Sequence, residues 1–227
     1  MTVPILTIDG PSGAGKGTVA TRIASIKGWH FLDSGALYRI TAYAALRDGV
    51  ALDDEAALSE LAAGLPVSFE VDPGTGEVRV ILAGEDIGDA IRSEEISAGA
   101  SLVAALPAVR AALLFRQRAF RRPPGLVADG RDMGSVVFPD SMTKVFLTAS
   151  VEVRAERRHK QLIEKGIAAS IAALSLDLRE RDERDSQRSV APMQHSADAE
   201  LLDTTNLTIA SAVAQVLDWV KKVSERG

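Results

Sequence analysis

The chain has 227 residues, 46% of them hydrophobic and 25% charged, which is typical of a globular domain and argues against disorder, collagen-like repeats and a coiled coil. Cysteine is absent, which excludes disulfides, thiolate catalysis and cysteine-ligated zinc. The net charge of −5 argues against a general nucleic-acid binder, and no apolar run approaches the roughly 20 residues of a membrane helix. Because no basic segment followed by an apolar stretch opens the sequence, we expect a cytoplasmic protein that binds neither nucleic acid nor membrane.

Arginine carries most of the positive charge, with 19 arginines against 7 lysines. A guanidinium binds phosphate or carboxylate through two parallel hydrogen bonds, which an ammonium group cannot do. In an acidic chain, this preference favours a concave phosphate-binding site over a basic surface.

Strands and helices alternate over the first quarter of the chain, as they do in a parallel α/β sheet. Short β-rich runs predict strands at 3–8 and 29–32. Apolar residues at helical spacing predict helices that begin near Val19 and that span 37–47 and 55–63.

The apolar pattern then changes to a period of two. Residues 67–71 and 78–82 predict two antiparallel strands, and the turn sequence Asp-Pro-Gly-Thr-Gly at 72–76 joins them as a hairpin. We interpret this hairpin as an insertion into the parallel core that extends to about residue 96. The remaining predicted elements are a helix over 101–119, strands at 126–129 and 144–148, a highly charged helical stretch over 151–188, a strand at 201–203 and a helix over 209–223.

A glycine-rich loop connects the first predicted strand to the first predicted helix. Its glycines let the backbone curl so that successive N–H groups point at phosphate oxygens, and the start of the helix adds a partial positive charge. Lys16 adds a full charge against the β- and γ-phosphates. A plain glycine-rich turn is the alternative, but seven matching positions in a strand–helix context favour a P-loop. The predicted ATP contacts here are Gly10, Pro11, Ser12, Gly13, Ala14, Gly15, Lys16, Gly17 and Thr18.

The loop departs from the strict P-loop pattern at one position. That pattern has a serine or threonine directly after the lysine, where its hydroxyl contacts Mg²⁺. Here Gly17 follows Lys16, and Thr18 comes one residue later. Thr18 is therefore the candidate metal ligand, while phosphate binding by the loop is unaffected.

Polar residues gather where the parallel strands are predicted to end, which is where α/β sheets bind their ligands. Residues 33–39 follow the second strand, residues 129–134 follow the third, and arginines alternate with aspartates over 179–188 after the fourth. No Asn-Lys-x-Asp guanine signature is present, which disfavours a GTPase.

Together with the P-loop, these segments resemble bacterial cytidylate kinases, which belong to the nucleoside monophosphate kinase group of P-loop proteins. The matching runs are 8–18, 33–39, 128–134 and 180–185, with a smaller match at 190–192, and the resemblance covers nearly the whole chain. It implies an α/β fold: a three-layer P-loop core with a five-stranded parallel sheet, a small antiparallel hairpin insertion and a helical lid. We expect a single domain over 1–227, with the acceptor-binding insertion at about 64–98 and the lid at about 151–188.

The resemblance also implies a reaction. A cytidylate kinase transfers the γ-phosphoryl group of ATP reversibly to CMP or dCMP, giving ADP and CDP or dCDP, in pyrimidine nucleotide metabolism. The expected cofactor is Mg²⁺ bound with ATP, the expected partners are ATP and CMP or dCMP, and the family resemblance suggests a monomer. The catalytic residues implied are Lys16, Arg131 and Arg188.

The family's acceptor contacts can be placed residue by residue. Contacts to the base fall on Ser101, Arg110 and Asp132, and an aspartate can accept a hydrogen bond from the cytosine N4 amine. Contacts to the sugar fall on Arg181 and Asp185. The acceptor phosphate falls on Arg39, Arg131 and Arg188, Ser34 completes the CMP-binding set, and Arg157 and Arg158, with Arg154 as a further candidate, are the lid arginines expected to reach ATP.

Several residues keep alternative interpretations. Asp9 could lie on the magnesium side or cap the turn after the first strand. Arg131 could pair with Asp132, and Tyr38 could pack beside Arg39. For the whole chain, the alternatives are a P-loop kinase of another small acceptor, such as another nucleotide or a shikimate- or gluconate-like molecule, and a non-catalytic nucleotide-binding module.

Overall fold

The computed structural model describes residues 3–72, 78–164 and 166–225. They form two compact units. The first takes the chain up to Ile5 together with Ala20–Gly130, and the second takes Leu6–Val19 together with the chain from Arg131 onward.

The strands and helices follow one another along the described residues in the predicted order. The strands are β1 (Ile5–Asp9), β2 (His30–Asp33), β3 (Val67–Val71), β4 (Val78–Leu82), β5 (Glu85–Asp86), β6 (Leu126–Gly130), β7 (Thr143–Thr148) and β8 (Glu200–Asp203). The α-helices are α1 (Lys16–Lys27), α2 (Ser34–Asp48), α3 (Glu55–Gly64), α4 (Glu94–Val103), α5 (Pro107–Ala119), α6 (Val151–Glu164), α7 (Ile171–Ser186) and α8 (Ile209–Ser224).

Five of the described strands form a parallel sheet in the order β2-β6-β1-β7-β8, which confirms the predicted fold class. Every residue of β1 and β6 is buried, as expected of strands covered on both faces. In the first unit, Asp33 at the end of β2 lies opposite Asp129 of β6. In the second unit, β7 pairs with both β1 and β8. Asp33 and Asp129 therefore lie side by side near the ends of neighbouring strands, as the sequence predicts.

The insertion is a small antiparallel sheet in the order β3-β4-β5. The predicted pairing of β3 with β4 is confirmed, and most of the predicted turn between them, residues 73–76, lies outside the described residues. β5 was not predicted, because two exposed acidic residues after a tight turn carry no apolar pattern. Val80 and Leu82 pack against Ile40 of α2, so the insertion has an apolar core within the first unit.

The continuous helix predicted over 101–119 is wrong. α4 ends at Val103, and α5 begins at Pro107 after Leu106 adopts an extended conformation. A proline lacks the N–H that a helix interior needs and disfavours helical geometry in the residue before it, so it starts a new helix here. No single described helix is long and apolar enough to cross a membrane; α4 and α5 together pass that test by length and composition, but they are bent by 100°.

The charged stretch over 151–188 folds into α6 and α7, which pack on each other through Ala155, Leu162, Leu174 and Leu178. Ser170 caps α7 by accepting a hydrogen bond from the backbone N–H of Ala173. The apolar residues are too sparse among the charges for the sequence to place the break between the helices. Its assignment as a lid, and the single domain over 1–227, stay predictions.

β1 continues into the glycine-rich loop through a backbone contact that only glycine permits. Gly10 has a φ of 141°, and a β-carbon there would lie 1.9 Å from the backbone oxygen of Leu147 in β7. Both atoms belong to rigid backbone, so neither can move away cheaply.

We predict that Gly10→Ala lowers the free energy of unfolding by about 3 kcal/mol or more, because the added carbon must push the loop away from β7. Urea denaturation measures this change. The matched control is Gly64→Ala at the end of α3, where a β-carbon meets nothing within 4 Å. The control should lie within about 0.5 kcal/mol of the unmodified chain. Equal midpoints for the two variants would contradict the steric argument.

Candidate functional site

The predicted phosphate-binding loop has the expected backbone conformation. Gly13 and Gly15 adopt positive φ values of 76° and 97°, which glycine tolerates and which let the loop curl. Lys16 is the first residue of α1, and its buried Nζ donates a hydrogen bond to the backbone oxygen of Pro11 at 2.8 Å. Thr18, the candidate metal ligand, is exposed on the same helix. The loop thus brings the amino end of a helix and a lysine ammonium together.

Asp9 organises the segment that follows β6. Its two carboxylate oxygens each accept a backbone N–H, from Met133 and Gly134, both at 2.8 Å. These residues begin a short π-helix at Met133–Val137, an element that the sequence did not predict and that is frequent at functional sites. The backbone that Asp9 binds lies more than 120 residues away in sequence, and the two predicted roles of Asp9 stay predictions.

Asp185 of α7 holds two of the predicted phosphate-binding arginines. Its carboxylate is 2% exposed and accepts hydrogen bonds from Arg131 Nε at 2.8 Å and from Arg188 Nη2. Burial raises the pKa of Asp185, but the positive charges of Arg131 and Arg188 outweigh burial and hold that pKa below its ordinary value of 3.8. The carboxylate is therefore ionised, and it lets two guanidinium groups lie close together.

Arg154 fastens the glycine-rich loop to α7. Its guanidinium is 3% exposed and donates to the backbone oxygens of Ser12 and Ala149, both at 3.0 Å. The remaining Nη2 donates to Asp182 at 2.6 Å. Because its guanidinium donates hydrogen bonds to three partners, Arg154 holds the loop in position.

Arg157, one turn further along α6, also contacts the loop. It donates to the backbone oxygens of Ala14 and Thr204, at 3.3 and 2.7 Å. The hydroxyl of Thr204 also donates to Ala14 at 3.0 Å. Sequence reasoning missed Thr204, although its place directly after β8 at the ligand-binding end of the sheet was a usable signal. Arg158 and Arg181 are half-buried on α6 and α7.

In the first unit, a second group of predicted residues surrounds the start of α2. Asp33 caps this helix by accepting from the backbone N–H of Ala36 and accepts from Arg39 Nη2 at 2.6 Å. The hydroxyl of Ser34 is buried and accepts from Gln117 of α5 at 3.0 Å. Gln117 is 2% exposed and was not predicted, because a polar residue on a helix is usually solvated.

Arg110 of α5 lies over the ring of Tyr38, with its Cζ 5.6 Å from the ring centre. It also donates to the backbone oxygen of Ala104 at 3.2 Å. The suggested packing of Tyr38 beside Arg39 stays a prediction. Ser101 on α4 and Asp132 after β6 are both buried, at 4% exposure each.

The structure therefore groups the predicted residues within each unit. The first unit holds Ser34, Arg39, Ser101 and Arg110. The second unit holds the glycine-rich loop, Lys16, Arg131, Asp132, Arg157, Arg158, Arg181, Asp185 and Arg188. Among the described residues, no group of three or more histidines or acidic residues could hold a metal ion.

Known proteins identify the family of this chain. The family model for cytidylate kinase matches residues 6–222, which is nearly the whole chain. The chain belongs to the cytidylate kinase family.

Curated members of the cytidylate kinase family match along all or nearly all of their length. The cytidylate kinase of Chromobacterium violaceum is 57% identical over 227 residues, covering all of both chains. That of Pseudomonas aeruginosa is 59% identical over 215 residues, covering 95% of this chain and 94% of the relative. A gluconokinase from Sinorhizobium meliloti 1021 matches with a TM-score of 0.51, 16% identity and coverage of 98% and 94%. At that identity the gluconokinase shares the fold alone.

The Asp185 cluster of this cytidylate kinase family member generates a stability prediction. We expect Asp185→Asn to lower the free energy of unfolding by about 3 kcal/mol, because it leaves Arg131 and Arg188 buried without their carboxylate. Urea denaturation at neutral pH measures the change. Asp177→Asn, on the exposed side of the same helix, is the matched control and should lie within about 0.5 kcal/mol.

The same carboxylate predicts a pH dependence. Because its pKa is lowered in the folded chain, ionised Asp185 stabilises the fold above about pH 4, and this contribution is lost as the pH falls through the lowered pKa. The stability difference between the unmodified chain and Asp185→Asn should be constant from about pH 6 to 8 and shrink below about pH 4. A difference that grew on acidification would oppose this assignment.

Arg154 generates a kinetic prediction. Arg154→Met keeps the length of the side chain but releases the Ser12 carbonyl, so we expect KM for ATP to rise about tenfold, the effect of one lost charge-assisted hydrogen bond. KM for CMP should change less than about threefold. Arg179→Met removes a guanidinium that is 62% exposed and pairs with Glu152 at the surface, and should leave both constants unchanged. Equal effects on the two KM values would indicate a general loss of structure.

Proposed function

We propose that this chain catalyses the reversible transfer of the γ-phosphoryl group of ATP to CMP or dCMP, giving ADP and CDP or dCDP. The observation that carries the proposal is the match to the cytidylate kinase family over 6–222, with curated cytidylate kinases at 57 and 59% identity. The structure supports it with a second cationic cluster, Arg131 and Arg188 on Asp185, in addition to the glycine-rich loop. A module that only binds ATP does not need such a cluster.

The acceptor oxygen of CMP is already anionic near neutral pH, so the reaction needs no general base. The barrier lies in bringing two polyanions together in line, and catalysis rests on positioning and charge neutralisation. Lys16 and the backbone N–H groups of the loop hold the ATP phosphates, and Arg157 and Arg158 contact ATP from α6. Arg154 acts on the loop itself and is a positioning residue.

The acceptor phosphate is assigned to Arg39, Arg131 and Arg188. Asp185 keeps Arg131 and Arg188 close together before the phosphate arrives, which reduces the ordering that binding requires. Arg181 and Asp185 contact the sugar, and Ser34 completes the set. Asp185 thus has two assigned roles, one toward the arginines and one toward the ribose.

The acceptor base is assigned to Ser101, Arg110 and Asp132. An ionised aspartate accepts a hydrogen bond from the N4 amine of cytosine, whereas uracil presents a carbonyl oxygen there and places two acceptors face to face. The contact of Arg110 with the Tyr38 ring and the Ala104 carbonyl fixes its guanidinium. This set therefore selects CMP and dCMP over UMP.

Mg²⁺ belongs to this proposal as part of the ATP substrate. Mg²⁺ keeps several waters and is bound mainly by substrate phosphates with one or two protein ligands. The side chains fit binding with few protein ligands. Thr18 offers one hydroxyl on α1, whereas both carboxylate oxygens of Asp9 already accept backbone N–H groups. When bound, the ion neutralises charge on the β- and γ-phosphates.

The reaction is proposed for a cytoplasmic monomer acting on free nucleotides.

A panel of acceptors tests the proposal. ADP release is measured with ATP and Mg²⁺ against CMP, dCMP, UMP, AMP, GMP, gluconate and shikimate in parallel. We expect rapid turnover with CMP and dCMP and little with UMP or the other acceptors. Turnover with gluconate or shikimate alone would replace the nucleotide acceptor, and turnover with none would reduce the proposal to nucleotide binding.

The role of Arg188 gives a further prediction. Arg188→Ala should lower kcat with CMP by about 10³-fold, by analogy with arginines that neutralise transferring phosphates. The matched control is Arg184→Ala, which is exposed near the end of α7, four residues before Arg188, and should retain turnover. Circular dichroism establishes that both variants are folded. Near-full turnover of folded Arg188→Ala would remove Arg188 from the catalytic set.

A further inference from the structure

A cavity of about 540 Å³ lies within the first unit, separate from the residues assigned to the acceptor there. It is lined by the start of β2, the end of α3, β3 and the second half of α5. His30 is the first residue of β2, whereas Asp33, which holds Arg39, is the last. The cavity is therefore at the opposite end of this strand, and its volume is that of a typical small-molecule site.

The walls of this cavity are unusually aromatic for this chain. They include Trp29, Phe31, Phe69, Phe115 and Phe120, which are five of the ten aromatic residues in the sequence. Such a concentration in a chain with only 4% aromatic residues argues for a specific use.

The aromatic rings form a connected wall. Phe69 contacts Phe31 edge-on at 6.4 Å between ring centres and Phe120 at 5.5 Å. Gly125 packs against the ring of Trp29 so closely that a β-carbon there would lie 2.5 Å from the indole. These contacts fix the rings, so the wall is preformed. Phe115, at 80% exposure, lines the same cavity from α5 without burying its own ring.

The charged groups of the cavity have one sign. Arg116 and Arg122 line it, and no aspartate or glutamate is among its described lining residues, although acidic residues outnumber basic ones by 31 to 26 in the chain. Arg116 donates through Nη1 to the Ala63 carbonyl at 3.1 Å, while its buried Nε has no hydrogen-bond partner among the described residues. Burial lowers the pKa of Arg116, because the guanidinium is partly removed from water.

We propose that this cavity binds a small molecule that carries both a flat aromatic ring and an anionic group, at a site distinct from those assigned to ATP and CMP. The ring stacks against the wall formed by Phe69, Phe115 and Phe120. The carboxylate, sulfonate or phosphate of the ligand pairs with the half-buried guanidinium of Arg116. An aromatic anion is the one class of ligand that uses both features at once.

A fluorescent pair of probes tests this proposal. The anionic probe is 8-anilinonaphthalene-1-sulfonate, and N-phenyl-1-naphthylamine has the same rings without the sulfonate. Binding is followed by probe fluorescence and by quenching of Trp29 in a Trp219→Phe background, where Trp29 is the only tryptophan. Saturating ADP and CMP are present throughout, so that the nucleotide sites are filled. We expect saturable binding of the sulfonate with quenching of Trp29.

Substitutions separate the two parts of the site. Arg116→Met should weaken binding of the sulfonate about tenfold and leave the neutral probe unchanged, while Phe115→Ser should weaken both probes. Arg118→Met, exposed on the same helix, is the matched control and should change neither. ATP-dependent turnover of CMP should be the same in all three variants. Equal binding of the sulfonate before and after Arg116→Met, or no saturable binding while ADP and CMP fill the nucleotide sites, would overturn the proposal.

Displacement identifies the source of the aromatic anion. Nucleoside triphosphates and aromatic carboxylates such as indole-3-acetate are titrated separately against the bound sulfonate. Displacement by the first group indicates a nucleotide site, and displacement by the second indicates an aromatic acid. Failure of both groups at millimolar concentration would overturn the assignment of a ligand.

Discussion

Carboxylates hold in place the arginines that we propose to bind the acceptor phosphate. Guanidinium groups repel one another, so a cluster of them needs negative charge nearby if it is to form before a ligand arrives. Asp185 supplies that charge to Arg131 and Arg188, and Asp33 supplies it to Arg39. The helix cap at Asp33 and the buried position of Asp185 on α7 therefore have the same effect, because each places a carboxylate beside arginines. The fold positions the aspartates, and the aspartates position the cations.

The glycine-rich loop depends on a different constraint, which is close backbone approach. Gly10 lies against the Leu147 carbonyl, and Arg154 then binds the loop through the Ser12 carbonyl. Thr204, which follows β8, and Arg157 of α6 bind the Ala14 carbonyl. The loop is thus held from outside through its carbonyl oxygens, whereas such loops bind phosphate through their N–H groups.

Most strands and helices of this fold can be predicted, because apolar periodicity and turn residues involve only residues that are close together in sequence. The strands of the parallel sheet and the antiparallel pair over 67–82 follow from apolar periodicity and turn residues, and they are confirmed. The break at Pro107 was missed because the apolar spacing on its two sides is continuous, although the proline itself was a signal. The two-residue strand β5 has too few residues to show any period.

The roles that could not be predicted depend on contacts between residues that are far apart in sequence. Arg154 stands 142 residues from Ser12 and 28 from Asp182, so nothing local distinguishes it from the solvated arginines around it. Gln117 and Thr204 likewise acquire their partners only when the chain is folded. The aromatic cavity was missed for the same reason, since its five rings come from separate segments of the chain.

We propose that the carboxylate-held arginines bind the phosphate of the acceptor. Calorimetric titration of the chain with CMP and with cytidine measures how much that phosphate contributes to binding, because the two ligands differ only in it. We expect CMP to bind about 100-fold more tightly than cytidine, the effect of two charge-assisted contacts, and Arg131→Ala to reduce this difference to about tenfold, because it removes one of the two. Cytidine and CMP binding with affinities within about threefold of each other would contradict the account.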